Sequence, residues 1–379
     1  MSNAIGLERV RVIACQGSLQ LLTAISVARY HATLQPPARY RNFLVIYDVV
    51  PEFATVIQAL AQSIESWEQI VHLQQHELQT FAAQRAAHGD GVWGDELTAR
   101  VGTATSDELY VARDWQPGNV LLLHGYRTAT KIAYGDGIGF FFGAQRFQAP
   151  ESFGRRVRSR FKALRGARKR KLILPSPTFD RGYFLLPDVF GETPTMPYVR
   201  PDPTFLQGVL REAAATLPPG LAVVLPPNRP TALVLLGNFG QAGWTSSNAE
   251  RTAYLEAIRK TIPSTHHLLI KPHPRTTSEE LRVLRHELTR LFPSVSFIDG
   301  QRSHYPVEVL LHDGAMQRSD LLTLGFTTAC VSLALFFNLR GHVGFGEGLL
   351  RRYFPRSWRL MLENEQILER AITSFQPAV

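Results

Sequence analysis

Cysteine is almost absent from this chain: Cys15 and Cys330 are the only two in 379 residues. They lie far apart in apolar surroundings, which excludes a disulfide scaffold and suits a reducing compartment. Long apolar runs are missing as well. The best, from Cys330 to Leu339, falls well short of the roughly 20 residues that span a bilayer. Glu8, Arg9 and Arg11 break the N-terminal segment before the apolar core of a signal peptide can form, so a cytoplasmic protein is expected. No cysteine cluster has zinc spacing, and no Gly-x-Ser-x-Gly elbow occurs. His72 and His76 have the spacing of one helical turn, but the glutamate of a metal-binding helix does not follow the first histidine. A surface pair is the expected reading. Internal repeats and low-complexity tracts are also lacking.

What is present is an ordinary globular composition, 45% hydrophobic and 19% charged, in a chain longer than one core usually organises. Two domains are expected. Lys and Arg outnumber Asp and Glu by 41 to 32, a net charge of +9. Much of the excess sits between Arg155 and Lys171, where ten of seventeen residues are basic. Such a run is either a solvated face or an attractor for an anionic partner: phospholipid head groups or a polyanionic acceptor. No aromatic interleaving or nucleic-acid motif accompanies it, which sets nucleic acid aside.

Along the chain, Val10–Ala14, Phe43–Tyr47 and Val120–His124 read as strands, with Ile138–Phe142 a further candidate. Helical stretches run from about Leu19 to Tyr30 and Val56 to Glu68. Ten prolines between Pro187 and Pro230 then suit an extended connector. A second series follows: strands at Ala232–Leu236, His267–Ile270, Val295–Ile298 and Leu321–Leu324. Helices alternate with these from about Ala249, Ser278, Val307 and Thr327. Strands alternating with helices imply parallel sheets covered on both faces. The expected architecture is α/β: two Rossmann-like halves, 1–185 and 231–379, joined by a connector at 186–230, with ligands beyond the carboxyl ends of the strands.

Four local features could carry chemistry. Lys271–Pro272–His273–Pro274 follows a strand, and each residue before proline is pushed into extended backbone. Extended residues two apart share a face, which aims an ammonium and an imidazole at one ligand. That pair suits a phosphate; the plain alternative is a proline-stiffened turn. Thr327 and Thr328 open a helix after a strand, as caps or as an anion-binding N-terminus. Pro306 suits the first helical position, which puts Glu308 at the third. There it either stabilises the helix start or bonds ribose hydroxyls. Asp136, between Gly135 and Gly137, sits on an open backbone that a substrate can approach, as a general base or as a turn residue.

In order and spacing, these motifs resemble those of the bacterial sialyltransferases and polysialyltransferases. Gly135–Asp136–Gly137 corresponds to the family's acidic pair before glycine, and Lys271–Pro272–His273–Pro274 to its His-Pro motif. Pro306–Val307–Glu308 corresponds to its Pro-x-Glu, and Thr327–Thr328 to its paired hydroxyl residues. Ser18–Leu19–Gln20–Leu21–Leu22 is similar to its opening strand-to-helix turn. The resemblance covers about 300 residues and implies a GT-B fold and transfer of sialic acid from CMP-sialic acid to a glycan hydroxyl. It implies that Asp136 is the base, and that His273 contacts and protonates the leaving phosphate. Lys271 would hold the nucleotide, Glu308 the ribose, and Thr327 with Thr328 the phosphate. No cofactor and no metal is implied, since Lys, His and a helix N-terminus supply the positive charge. The chain departs from the pattern twice: Gly135 replaces one acid, and threonines replace serines. The implied partners are a CMP-sugar donor, a glycan or polyanionic acceptor and, through residues 155–171, an anionic membrane surface. Alternatives are a CMP-Kdo transferase, a CDP-glycerol type transferase that would use His124, and a non-catalytic module binding anionic glycans.

Overall fold

Among the described residues most strands run into a helix that carries the chain back across the sheet, and the strand pairs are parallel. The computed structural model describes residues 7–88, 92–114, 116–135, 179–187, 196–227, 229–311, 318 and 320–374. The first half comprises β1 (Leu7–Cys15), α1 (Ser18–Thr33), β2 (Ala38–Tyr47), α2 (Pro51–Ile64), β3 (Gln69–Leu73), α3 (Gln75–His88) and α4 (Val92–Val101). It continues through β4 (Glu108–Val111), α5 (Pro117–Gly125), β5 (Thr130–Gly135), β6 (Arg181–Phe184), β7 (Tyr198–Val199) and α6 (Pro203–Ala215). The second half begins with β8 (Thr231–Leu235), α7 (Ser247–Thr261), β9 (His267–Lys271), α8 (Ser278–Leu291) and β10 (Val295–Phe297). After a 3₁₀ turn (Gly300–His304) come α9 (Val307–Leu310), β11 (Leu321–Gly325), α10 (Ala329–Phe337), β12 (Arg340–Val343), α11 (Gly346–Tyr353) and α12 (Trp358–Thr373).

The strand orders are β3-β2-β1-β4-β5-β6-β7 and β10-β9-β8-β11-β12. Both reverse direction once, between β1 and β4 and between β8 and β11, and each reversal opens a crevice at the carboxyl edge. The inner parts of the strands are apolar on both faces, as burial from both sides requires. Val12, Ala14, Val45 and Val111 belong to one core, while Ile13, Cys15, Leu44 and Ile46 belong to another. This second core runs on through Leu206, Val209 and Leu210 of α6 into the strands of the second sheet. Both cysteines are buried and free, and burial pushes their thiols up to about 12.

Three expectations are corrected. Val120–His124 is not a strand but the body of α5, whose Pro117 sits in the first turn and whose Leu121, Leu122 and Leu123 are buried. His124 therefore follows no strand. The proline-dense stretch is not simply extended: it holds β7, which pairs with β6, and α6, which packs on α1. A cap explains α6, because the Asp202 carboxylate accepts the Thr204 N–H at 2.9 Å and Pro203 takes the first helical position. His72 lies in β3 and His76 in α3, so they share no helical face. Ile138–Phe142 and the basic stretch 155–171 lie outside the described residues.

A buried charge network clamps the amino ends of the first sheet. Arg11 Nε donates to Glu108 Oε2 at 2.7 Å, and the Tyr110 hydroxyl donates to the same oxygen at 2.7 Å. His31 stands 3.5 Å from Glu108 Oε1, and the Arg11 guanidinium lies 3.1 Å from the centre of the Tyr40 ring. Burial pushes the Glu108 carboxyl up, but the His31 bond and the Arg11 charge outweigh it and hold the group at about 2. A carboxyl depressed in the folded state stabilises above its unfolded value and loses that contribution as pH falls through the folded one. The expected loss therefore runs from about 4.5 down to about 2. Glu108→Ala leaves Arg11 buried without its partner and should cost about 3–5 kcal/mol in urea denaturation. A loss no larger than ordinary surface substitutions give would show the network to be incidental.

Candidate functional site

The second sheet brings most of the predicted residues to one edge. Lys271, Leu235 and Gly325 sit side by side at the carboxyl ends of β9, β8 and β11. Lys271 is buried at 9% exposure, and its ammonium donates to the Ser303 carbonyl at 2.5 Å. Burial lowers it to about 8, with the Glu308 carboxylate opposing that shift. Glu308 is 1% exposed and accepts a hydrogen bond from the Ser332 hydroxyl of α10. Its carboxyl is raised by burial, against the Ser332 bond and the Lys271 charge. Pro306 is the cap residue of α9, not its first helical residue, so Glu308 stands second in that helix.

His273 is half-buried two residues past Lys271. Burial, with like charge from Arg275 and Lys271, pushes its imidazole down to about 4, so the ring is neutral at physiological pH. The Arg275 N–H points at Nδ1 at 3.2 Å. Nδ1 accepting that bond leaves the proton on Nε2, which makes Nε2 the donor. Thr327 Oγ1 accepts the Ala329 N–H at 3.3 Å, the local capping use foreseen for it. Thr328 carries no side-chain cap bond and lines the cleft.

That cleft cavity, about 300 Å³, is walled by both halves. Thr328 faces Gly17, Ser18 and Gln20 after β1, Phe53 of α2, Ala112 and Arg113 after β4, and Tyr134 with Gly135 at the end of β5. The two switch points of the sheets thus open on one space. The halves touch beside it: Ser18 Oγ donates to the His304 carbonyl at 2.9 Å, and Phe53 stacks on the His304 ring at 5.3 Å. Burial and the Lys271 charge lower His304, opposed by Glu52. Asp136 lies outside the described residues, one position beyond Gly135, the last residue of β5.

Ser303, His304, Ser332 and Arg113 were not singled out by motif. Ser332 alone left a trace, four residues after Thr328 and so on the same helical face. The others reach the site through tertiary contacts that no local pattern announces.

No family model matches the chain, and no curated protein is similar to it in sequence. Among solved structures, a Listeria monocytogenes protein assigned as a UDP-N-acetylglucosamine 2-epimerase superposes with a TM-score of 0.51 at 10% identity, covering 98% of this chain and 91% of that one. A sialyltransferase GT-B domain from Photobacterium damselae gives 0.40 at 10% identity over 96% and 97% of the two chains. The heptosyltransferase WaaC of E. coli gives 0.41 at 13% identity over 88% and 87%. The fold is GT-B: two parallel α/β sheets, of seven and five strands, with a cleft between them.

The Lys271 charge makes a pH test possible. An ammonium at about 8 is protonated at neutral pH and attracts an anion. Affinity for a nucleoside monophosphate should therefore fall as pH rises past about 8. The slope should approach tenfold per unit, and the weaker affinity of Lys271→Met should stay flat. His273 is already neutral throughout that window and contributes no slope. Stability moves the opposite way, because the unfolded lysine holds its proton up to about 10.5 while the folded one releases it near 8. A flat wild-type profile in calorimetry between pH 7 and 10 would remove Lys271 from the anion site.

Proposed function

We propose that this protein is a glycosyltransferase that moves sialic acid, or a related nonulosonate, from a CMP-activated donor to a glycan hydroxyl. One observation carries the reading. Lys271, His273, Glu308, Thr327 and Thr328 gather at the carboxyl edge of the second sheet, beside a cavity lined on its far side by Gly135, the residue before Asp136 in sequence.

In this reading the phosphate lies near His273 and the start of α10, where Thr328 and the helix N–H groups receive it. His273 donates Nε2–H to a phosphate oxygen. The approaching negative charge raises the imidazole, so it can deliver a proton as CMP departs. Glu308 bonds the ribose and Lys271 supplies charge behind it. Asp136 takes the proton of the attacking hydroxyl. The anion leaves into a site whose positive charge and donors are already in place, and such preorganisation is the main source of rate in electrostatic catalysis. No metal or cofactor enters this scheme. The basic stretch 155–171 would hold the enzyme against an anionic membrane or a polyanionic acceptor.

The second reading is a UDP-sugar enzyme, suggested by the fold shared with the Listeria protein. A thermal-shift panel of CMP, CDP, UDP, GDP and UMP separates the two. CMP at 100 times its dissociation constant should stabilise the chain by about 2.7 kcal/mol. A preference for UDP would favour the second reading. Asp136→Asn should slow transfer about 10²- to 10⁴-fold, with CMP affinity unchanged. Equal rates of CMP release would refute its assignment as base. Tight CMP binding with no release from any CMP-nonulosonate would point to a binding module. Neutralising Arg168–Lys171 should weaken vesicle sedimentation by about 1 kcal/mol per charge and leave CMP affinity intact.

A further inference from the structure

The amino edge of the first sheet holds a cavity of about 780 Å³ that the transferase scheme does not use. It lies away from the cleft: β1 carries the chain roughly 20 Å from Arg9, on the cavity wall, to Cys15 at the carboxyl end. Strand register sets its residues on one face. Arg11 pairs with Glu108, Glu108 with Thr130, and Ile132 with Arg181, so Arg9, Glu108 and Arg181 project to the same side. Two groups there are incompletely satisfied. Glu108 is 3% exposed, and Arg11 and Tyr110 bond only its Oε2. Oε1 is buried without a well-formed hydrogen bond, since Arg9 Nη1 and His31 Nε2 approach only to 3.6 and 3.5 Å. The Arg181 guanidinium is placed by the Tyr183 hydroxyl, to which Nη1 donates at a long 3.5 Å. That hydroxyl stands 2.5 Å from His31 Nδ1, which brings Arg181 to the same floor as Glu108. No carboxylate pairs with Arg181 among the described residues.

Nearly every buried polar atom in a folded protein finds a partner, so an orphaned carboxylate oxygen on a cavity floor marks a place for a donor. The guanidinium beside it calls for an acceptor. The charges on the walls disfavour simple ions. Asp107 and Asp180 are exposed on the rim, their carboxylates held by the Val10 and Lys131 N–H groups at 2.7 Å, and repel an anion. Arg9 and Arg181 repel a cation. A hydroxyl both donates and accepts, and neighbouring hydroxyls can satisfy a carboxylate and a guanidinium together without adding charge. We propose that this cavity is a binding site separate from the cleft, taking a neutral saccharide whose hydroxyls donate to Glu108 Oε1 and accept from Arg181. Its volume falls within the range of small-ligand pockets. The site goes beyond the transferase reading and does not need it, because a sugar held at the amino edge is apart from the groups gathered at the carboxyl edges.

The test uses the full chain without nucleotide, as wild type, Arg181→Gln, Thr130→Trp and, as a control for the cleft, Thr328→Trp. Melting midpoints confirm that each variant folds. Saturation-transfer NMR titrations use lactose, maltose, cellobiose and methyl mannoside as neutral sugars, N-acetylneuraminate as the anion and spermidine as the cation. At least one neutral sugar should bind wild type. Arg181→Gln should raise its Kd about 10- to 100-fold, the range of a hydrogen bond to a charged group. Thr130→Trp, which fills the cavity from an exposed position, should abolish the signal, and Thr328→Trp should leave it unmoved. No transfer to any of the neutral sugars overturns the proposal, as does a sugar Kd that Arg181→Gln and Thr130→Trp leave unchanged. Sugar binding lost only in Thr328→Trp belongs to the cleft and overturns it as well. So does an Arg181-dependent signal confined to N-acetylneuraminate or spermidine, which would make the ligand charged. None of these readouts involves CMP, so the result stands whichever donor the cleft accepts.

Discussion

Parallel pairing is the constraint from which the rest of this molecule follows. When every strand runs the same way, every segment leaving a strand emerges at one edge, and the returning helices must cover both faces. The strand order then reverses once in each sheet, at β1 and β4 and at β8 and β11. At those points consecutive crossovers turn to opposite faces and leave room between them. The cleft cavity is built from these departures: Gly17 and Ser18 after β1, Arg113 after β4 and Thr328 after β11. The apolar cores fix the edges, and the edges fix where polar residues can gather.

At the second edge, burying Lys271 and Glu308 carries an electrostatic cost that hydrophobic residues of the same volume would avoid. The cost is visible in the directions of their shifts, since burial favours the neutral form of each. Compensation comes from the Ser303 carbonyl, the Ser332 hydroxyl and the attraction between the two charges. An ammonium held this way keeps its charge at neutral pH yet stays close to releasing it. The same surroundings keep His273 neutral, so the site offers an anion one full charge and several donors, and its next proton equilibrium depends on the anion itself. That electrostatic profile fits the proposed role of receiving a departing phosphate.

The second half was the more legible in sequence, for identifiable reasons. Thr277 and Glu280 form a reciprocal capping box, and α8 starts at Ser278 as the pattern foretold. In the first half, β4, β6 and β7 have four, four and two residues, too few for any periodicity to register. Val120–His124 misled because a short apolar run fits a strand or a buried helix equally, and Pro117 was the cue that decides. The α/β class, the parallel sheets and the GT-B arrangement were readable. At the site, the extended spelling set Lys271 and His273 on one face toward one ligand; in the structure the Lys271 charge lowers the His273 imidazole, while the Lys271 ammonium bonds the Ser303 carbonyl. The spelling could not reveal that Lys271 turns into the interior, because periodicity gives direction along a strand and says nothing of depth.

The two edges are not independent. The 3₁₀ turn places the Ser303 carbonyl on the Lys271 ammonium and the His304 carbonyl on Ser18 at the start of α1. Adjacent peptide groups of one short turn therefore hold the buried cation of the second half and the first helix of the other. His304 adds its stacked contact with Phe53, and its Nδ1 is buried with no hydrogen-bond partner among the described residues. A change in the charge around Lys271 acts on this turn directly, through a bond to its backbone. The turn cannot shift without disturbing Ser18 and Phe53, and both of those line the cleft. In the proposed reaction, phosphate on one side and acceptor on the other meet across that seam. In that scheme the turn would link the residues receiving the leaving group to the wall facing the acceptor, by hydrogen bonds and one ring contact rather than by any long-range device.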